Sequence, residues 1–156
     1  MNKKTKKRKG INAAPTRCPY CGGRVVFRSA DGIYQENHNG RMLYVCSRYP
    51  ECDAYVRTHD GTRIPVGSMA NHELRTLRKT AHHYFDQLHK SGLMTKDGAY
   101  DWLANIIDAP KSYAHIGLLS EYYCKQVIEQ SKEYLRRYKN KQRNSQSKKR
   151  GGELIS

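Results

Sequence analysis

The chain has 156 residues, of which 29 are lysine or arginine and 14 are aspartate or glutamate, so its formal net charge is +15. Hydrophobic residues make up only 37% of the sequence, which argues against one large core that extends over the whole chain. No segment has the apolar length of a signal-peptide core or a membrane span, so we expect a cytoplasmic protein without membrane contact.

The positive charge is concentrated at the two ends of the sequence. Residues 1–10 contain six basic and no acidic residues, and residues 132–150 contain nine basic residues and one acidic residue, Glu133. Runs of like charge repel one another, rarely fold alone and often bind a polyanion. We therefore predict a disordered basic arm over residues 1–16 and a disordered basic tail over residues 142–156. A solubilising role without a specific partner is the alternative interpretation.

Four cysteines follow the arm in two pairs. Cys18 and Cys21 lie in the segment CPYCGG, and Cys46 and Cys52 lie in the segment CSRYPEC. Four thiolates in two pairs are the ligand set of a closed, tetrahedral structural zinc site, and a reducing cytosol favours metal binding over disulfide formation. We predict that these four cysteines hold one structural Zn²⁺.

Short strands separated by turn signals lie between and after the cysteine pairs. The segments RVVFR at 24–28, RMLYV at 41–45 and AYVRT at 54–58 are typical of strands, and Asp-Gly and Asn-Gly dipeptides separate them. The pattern predicts a three-stranded antiparallel zinc ribbon over residues 17–64. Such a module buries little apolar surface, whereas structural zinc contributes on the order of 10 kcal/mol. Because the second cysteine pair has a five-residue gap, His38 or His59 is an alternative for one ligand.

The two cysteine segments resemble known zinc ribbons. CPYCGG and YVCSRYPECDAYV are similar to the C-terminal ribbons of bacterial type I topoisomerases, whose second pair has the same Cys-Ser-x-Tyr-Pro-x-Cys form. That resemblance implies binding of single-stranded DNA, although the hairpin between the pairs is longer here. With GSMANHELRTLRKTAHHYFD, AYDWLA and HIG, the chain also resembles a family of small zinc-finger-containing phage and prophage proteins. This second resemblance implies a bacterial host cytoplasm and indicates no activity.

Every basic residue of the predicted ribbon is arginine, and aromatic residues are interspersed among them. Arginine binds phosphate and stacks on bases, and aromatic rings stack on unpaired bases, whereas nothing in the ribbon indicates a recognition helix for duplex DNA. We expect two exposed tyrosine rings among the nucleic-acid contacts. The predicted contacts are Arg24, Arg28, Arg41, Arg48, Tyr49, Tyr55 and Arg57, with Tyr49 and Tyr55 as the exposed rings. The alternative is that the arginines are solvated strand residues and the tyrosines cover the inner face of the sheet.

Residues 65–141 have the pattern of a three-helix bundle. The helices are predicted to begin after Asn71, Thr95 and Ser120, and the second to end before Pro110. Apolar residues of the first helix recur at steps of three and four, at Leu74, Leu77, Ala81, Phe85 and Leu88. Basic and acidic residues balance over residues 65–131, so we expect this bundle to contact a protein partner rather than a polyanion.

Three further features of the helical half have a functional and a structural interpretation. His82, Asp86 and His89 would share one helix face and could form a second metal or hydrolytic centre, but no catalytic motif accompanies them and surface histidines explain the pattern. The segment HIG at 115–117 is typical of a turn with a packed histidine, with a partner contact as the alternative. Cys124 stands alone on an apolar stripe and is expected to be a small buried hydrophobe.

The sequence therefore predicts an α+β protein in which a small antiparallel zinc ribbon is followed by a three-helix bundle, with basic flexible tails. We expect a non-enzymatic, zinc-dependent nucleic-acid-binding accessory protein that favours single-stranded or locally opened DNA. Two alternatives stay open. One is a protein-interaction module, such as a phage factor that binds the host transcription or replication machinery, and the other is a metal-dependent nuclease.

Overall fold

The computed structural model describes residues 13–153, with side chains as far as residue 146. Three strands, β1 (Val25–Ser29), β2 (Met42–Cys46) and β3 (Tyr55–Arg57), precede three helices, α1 (His72–Lys90), α2 (Lys96–Ile107) and α3 (Glu121–Glu153). Two single-turn 3₁₀ helices, Lys111–Tyr113 and Ile116–Leu118, lie between α2 and α3. The predicted α+β class and element order are confirmed. Most of the predicted basic arm, residues 1–12, lies outside the described residues.

The chain divides into two compact units. The ribbon unit contains residues 13–78 and 115–119 of the described chain, and the helical unit contains residues 79–114 and 120–153. These limits differ from the predicted division at residues 64 and 65. Residues 65–78 and the segment 115–119 group with the ribbon because Ser68 donates its backbone N–H to the carbonyl oxygen of Gly117 at 2.9 Å, and Tyr55 and Ala70 exchange backbone hydrogen bonds.

The three strands form one antiparallel sheet in the order β1–β2–β3. Phe27 lies opposite Tyr44, which lies opposite Val56, while Arg28 lies opposite Leu43. Cross-strand partners share one face of a sheet, and neighbours along a strand alternate between faces. One face, the cysteine face, carries Val25, Phe27, Tyr44, Cys46 and Val56. The other face, the arginine face, carries Arg24, Val26, Arg28, Leu43, Val45, Tyr55 and Arg57.

The three predicted helix starts are confirmed, and the first two have side-chain caps. The Leu74 N–H donates to Asn71 Oδ1 at 3.0 Å, and the Gly98 N–H donates to Thr95 Oγ1 at 3.0 Å. Both contacts satisfy N–H groups that a first helical turn leaves without an intrahelical acceptor. Ser120 accepts the first intrahelical bond of α3 through its carbonyl oxygen.

The helical unit has its own apolar core. Phe85 packs edge-on against Tyr100, with ring centroids 5.3 Å apart, and lies stacked on Trp102 at 6.5 Å. Cys124 is fully buried, as expected for a small hydrophobe. The fully buried side chains here include Phe85, Leu88, Leu103, Cys124 and Val127.

Helix α3 continues to Glu153, beyond residue 141, where we predicted a disordered tail to follow. No Gly or Pro interrupts residues 121–150, and polar pairs one turn apart support the extension. Gln142 donates to the hydroxyl of Tyr138 at 2.8 Å, and Arg137 donates to Glu133 at 3.0 Å. Among the helices of residues 13–153, none has the length and hydropathy needed to cross a bilayer.

Candidate metal centre and sheet surface

The four predicted ligand cysteines meet at one end of the sheet. Their sulfur atoms all lie within 4.8 Å of one another, with Cys18 Sγ 3.6 Å from Cys52 Sγ and Cys21 Sγ 3.4 Å from Cys46 Sγ. The four clustered cysteines form no disulfide, since a disulfide would bring two sulfurs to about 2.05 Å. A tetrahedral zinc with Zn–S bonds of about 2.3 Å separates its sulfurs by about 3.8 Å. The cluster therefore has the dimensions for a single zinc ion.

Neither histidine that we considered as a replacement ligand belongs to this cluster. His38 lies 3.3 Å from Glu36, and both side chains are exposed. His59 is exposed beside the turn at Asp60. Within residues 13–146, the four cysteines are the group of metal-binding side chains that could share one ion. The side chains positioned to hold one ion are thus all cysteines.

Two glycines shape the turn of the first cysteine pair. Gly22 has φ +73°, and its N–H donates to the carbonyl oxygen of Cys18 at 2.9 Å. Gly23 is buried, and a Cβ at this position would lie 3.2 Å from Cys21 Sγ and 3.5 Å from Cys46 Sγ. The segment CPYCGG therefore places glycine where the backbone turns left-handed and where it approaches the sulfurs.

The cluster shifts the pKa values of two of its thiols in opposite directions. The backbone N–H of Gly23, together with a hydrogen bond to Cys46, lowers the pKa of Cys21 to about 7 from the ordinary 9.0. Burial raises the pKa of Cys46, although the N–H of Arg48 opposes this effect. Zinc binding must displace the protons that remain, since metal ligation requires the thiolate form.

A family model described as a zinc-finger-containing domain, DUF3268, matches residues 14–134. The chain belongs to this family. Comparison with curated proteins and with solved structures finds no significant match. The four-cysteine cluster is consistent with the zinc finger that this family description names. Phage origin and the likeness to topoisomerase ribbons stay expectations from the sequence.

The arginine face of this zinc-finger-containing domain carries three predicted contact residues, and the Leu43 and Val45 side chains of the same face are buried in a cluster against which Tyr49 and Tyr55 pack. Arg28 and Arg57 lie on either side of Leu43 in the register of the sheet, and alternation places Arg24 on the same face. Arg24 and Arg28 are exposed and Arg57 is half-buried. None of the three has an ion pair with any residue that the structure describes. The Arg28 guanidinium donates only to the nearby backbone carbonyls of residues 29 and 31.

The remaining predicted arginines have different surroundings. Arg41 is half-buried and forms an ion pair with Asp60, so its charge is already matched. Arg48 is exposed beside the cysteines rather than on a strand, with its Nε 3.6 Å from the position of a Cβ on Gly23. The surroundings of Arg41 and Arg48 therefore differ from those of Arg24, Arg28 and Arg57, which lie on the arginine face without an ion pair in the described chain.

The expectation that Tyr49 and Tyr55 expose their rings requires correction. Both side chains are half-buried because they pack on the buried cluster around Leu43 and Val45. The guanidinium carbon of Arg75 lies 3.8 Å from the centroid of the Tyr55 ring, so one ring face is covered. Burial raises the pKa of the Tyr55 phenol. Tyr20, which we did not select, is more exposed than Tyr49 or Tyr55, with 44% of its surface accessible.

Arg75 is a residue that sequence reasoning missed. It donates to the carbonyl oxygens of Asp53 and Ala70 at 2.7 and 2.5 Å, and it pairs with the Asp53 carboxylate at 3.4 Å. The position of Arg75 on a predicted helix did not indicate its contacts with Asp53 and Ala70, because these contacts depend on how the start of α1 packs on the ribbon.

The other candidate groups are not assembled into sites. His89 Nε2 lies 3.8 Å from Asp86 Oδ1, while His82 is exposed, and these three do not form a metal cluster. In the HIG segment, His115 is exposed, Ile116 is buried and the segment forms a 3₁₀ turn. That arrangement matches the turn interpretation, with the isoleucine rather than the histidine packed.

Proposed function

We propose that the chain is a zinc-dependent nucleic-acid-binding accessory protein whose arginine face contacts the sugar-phosphate backbone. The observation that carries the proposal is that Arg24, Arg28 and Arg57 share one sheet face without an acidic partner in the described chain. The carboxylates of Asp53 and Asp60 are engaged by other arginines, and the carboxylate of Asp31, next to Arg28, accepts a hydrogen bond from Asn37. Unmatched guanidinium groups on one surface suit phosphate, which they bind in a bidentate manner.

Single-stranded or locally opened DNA suits this surface better than a duplex. Val26 is 42% exposed between Arg24 and Arg28, so an apolar group interrupts the cations where an unpaired base could rest. Bases in an intact duplex are stacked and cannot reach such a surface. The half-buried rings of Tyr49 and Tyr55 offer edges rather than open faces, and they contribute less stacking than we expected from the sequence.

Zinc supports this surface indirectly. Cys46 ends β2 and Cys52 precedes β3, so an ion bound by both fixes the spacing of the two strands that carry Leu43 and Arg57. Structural zinc closes such a site without an open coordination position. The metal therefore acts on nucleic-acid binding by holding the arginine side chains in register, with no part in chemistry.

The experiment is a titration of the zinc-loaded full-length chain against single-stranded and duplex oligonucleotides of matched length at several salt concentrations. If about six phosphates are neutralised, log affinity falls against log salt with a slope of roughly −4 to −5. Replacing Arg24 and Arg28 together by alanine should reduce the magnitude of this slope by about 1 to 2 and weaken single-strand binding.

The matched control replaces Lys79 and Lys125 by alanine, because both are exposed and lie in the helical unit. This variant loses the same formal charge and should keep most of the single-strand affinity. A flat salt response in the wild type would refute the electrostatic mechanism. An equal loss in both variants would show that net charge, rather than the arginine face, determines binding.

A protein-interaction role is the second candidate, because the exposed Val26 side chain suits an apolar contact with a protein as well as it suits a base. In that case the partner is a host or phage protein, and nucleic-acid affinity comes from the basic ends alone. Deleting residues 1–10 and 140–156 separates the two candidates. Single-strand binding persists in the deletion variant if the arginine face is the binding surface and disappears if only the ends bind.

A further inference from the structure

A groove opens on the helical unit where α3 passes the turn between α1 and α2. Its volume is about 510 Å³. One wall comes from the turn and the rest from a single stretch of α3. The lining residues are Leu93, Tyr134, Arg137, Tyr138, Asn140 and Lys141. Most of them lie three or four positions apart, so they follow one side of the helix.

The two tyrosine rings of this groove are held by their neighbours. Tyr134 lies edge-on to Trp102, with ring centroids 6.4 Å apart, and remains 41% exposed. The hydroxyl of Tyr138 accepts a hydrogen bond from Gln142 at 2.8 Å. The rings are therefore positioned in advance, while part of their surface is open to solvent.

The surroundings of the groove are strongly cationic. Residues 134–146 contain five basic and no acidic residues. Glu133, just before this range, accepts hydrogen bonds from Arg136 and Arg137. These bonds, with Arg136 the stronger influence, lower the pKa of the Glu133 carboxyl from its ordinary value. Lys141 has no ion pair with any residue in the described chain. Positive charge at the groove therefore exceeds what Glu133 can match.

We propose that this groove binds one nucleotide unit of a single-stranded nucleic acid, with its base against Tyr134 and Tyr138 and its phosphate near Arg137 and Lys141. This site shares no residue with the arginine face and does not depend on it. An acidic peptide would satisfy the cations but would leave the rings without a planar partner. Alternating rings and cations fit a strand with exposed bases, since base stacking and phosphate contact are both used.

The chain supplies its own reporter for this site. Trp102 is the only tryptophan in the sequence, and it lines a neighbouring hollow with Tyr134 and Arg137. Titrating the zinc-loaded full-length chain with oligothymidylate should therefore change Trp102 fluorescence in a saturable manner. A duplex of the same length and a polyglutamate of equal charge should leave the fluorescence nearly unchanged. These comparisons use the wild-type chain and do not depend on how a variant folds.

Variants then identify the residues. Replacing Tyr138 by alanine with Lys141 by glutamine should lower the affinity measured by fluorescence about 5-fold or more. The matched control makes the same two changes at Tyr122 and Lys125, which are both exposed near the start of α3. This control should retain the wild-type affinity.

The outcomes separate this proposal from the arginine face. The variant with Arg24→Ala and Arg28→Ala should still show the Trp102 response. No response of the wild type to oligothymidylate overturns the groove proposal, whatever the arginine face does. An equal response to polyglutamate overturns the nucleotide assignment in favour of an acidic peptide, and an equal loss in the Tyr122 and Lys125 control overturns the assignment of residues.

Discussion

At the scale of single residues, Arg75 limits how much of the Tyr55 ring is accessible on the ribbon unit. Its guanidinium covers one face of the Tyr55 ring and donates to the carbonyl oxygens of Asp53 and Ala70. The cation–π contact and the hydrogen bonds to two backbone carbonyl oxygens together fix the position of the guanidinium. From the sequence, Arg75 would be expected to be solvated and the Tyr55 ring to be open for stacking on a base. In the structure, Arg75 instead covers one face of that ring.

Removing the Arg75 guanidinium should loosen the ribbon unit near β3. We expect Arg75→Ala to reduce local stability by about 1.5 to 3 kcal/mol, because two carbonyl oxygens lose a charged donor. Hydrogen exchange of peptides covering residues 53–57 measures the effect, and faster exchange is the expected result. Arg24→Ala is the control, since Arg24 is exposed, and its exchange should match the wild type. Similar rates in both variants would contradict the structural role.

The five cysteines test the metal centre at the same scale. Cys52 is one of the clustered thiols, whereas Cys124 is buried in the helical unit. We expect Cys52→Ser to lower bound zinc well below one ion per chain, because a hydroxyl is a poor substitute for a thiolate. Cys124→Ser should retain one ion. Metal analysis of the purified variants checks both, and full zinc content in Cys52→Ser would show that another ligand replaces it.

At the scale of secondary-structure elements, α1 and α2 begin where the side chains of Asn71 and Thr95 accept hydrogen bonds from free N–H groups. α2 shows this most directly, because Thr95 Oγ1 accepts from the Gly98 N–H and Asp108 ends the helix at φ 49°. The polar extension of α3 is different, because residues 139–146 are all exposed and bury no apolar face. A helix without a buried face depends on intrahelical pairs and on the packed part that precedes it.

Replacing Thr95 tests the cap of α2. Thr95→Ala should destabilise the helical unit by about 0.5 to 2 kcal/mol, because the Gly98 N–H loses its acceptor. Thr95→Ser keeps the oxygen and should lose far less. Denaturant unfolding followed by Trp102 fluorescence measures both variants, since Trp102 lies on α2 itself. Equal midpoints for alanine and serine would show that the hydroxyl does not support the helix.

Local patterns in the sequence predict elements well and predict burial of single rings poorly. Asn71, Thr95 and the Cys18–Cys21 turn were found because capping and metal-ligand spacing act over three or four residues. The covering of one face of the Tyr55 ring was missed because it depends on Arg75, twenty positions further along the chain. Alternation alone cannot show which face of a three-stranded sheet another segment will cover.

At the scale of the whole molecule, each unit is built from segments that are distant in sequence. The ribbon unit includes residues 115–119, which return to it after α2. The contact is tight at Gly67, where a Cβ would lie 2.1 Å from the carbonyl oxygen of Gly117. Only glycine permits this approach of two backbones. The zinc ribbon therefore depends on a segment that lies more than 50 residues beyond its last cysteine.

Gly67→Ala tests that dependence. The added methyl group cannot fit beside the Gly117 carbonyl, so the two segments must move apart at a cost of about 1 to 3 kcal/mol. We expect faster hydrogen exchange at the Ser68 N–H, which donates to Gly117, and in the segment 115–119. Zinc content should stay at one ion per chain, because no cysteine is displaced. Unchanged exchange at Ser68 would show that the contact is not maintained in solution.

Removing zinc should destabilise the ribbon unit and leave the stability of the helical unit unchanged. The buried cluster of the cysteine face includes Cys18 and Cys46 themselves, so without an ion the ribbon unit loses a bond network worth about 10 kcal/mol. The helical unit keeps a core that contains Phe85 and Leu103 and no clustered cysteine. We expect a chelator to accelerate hydrogen exchange in β1–β3 while α2 stays protected and Trp102 fluorescence is unchanged. Zinc, but not magnesium, should restore the protection, because thiolates select the softer ion. Strands that stay protected after complete removal of the metal would show that the sheet stands on its apolar contacts alone.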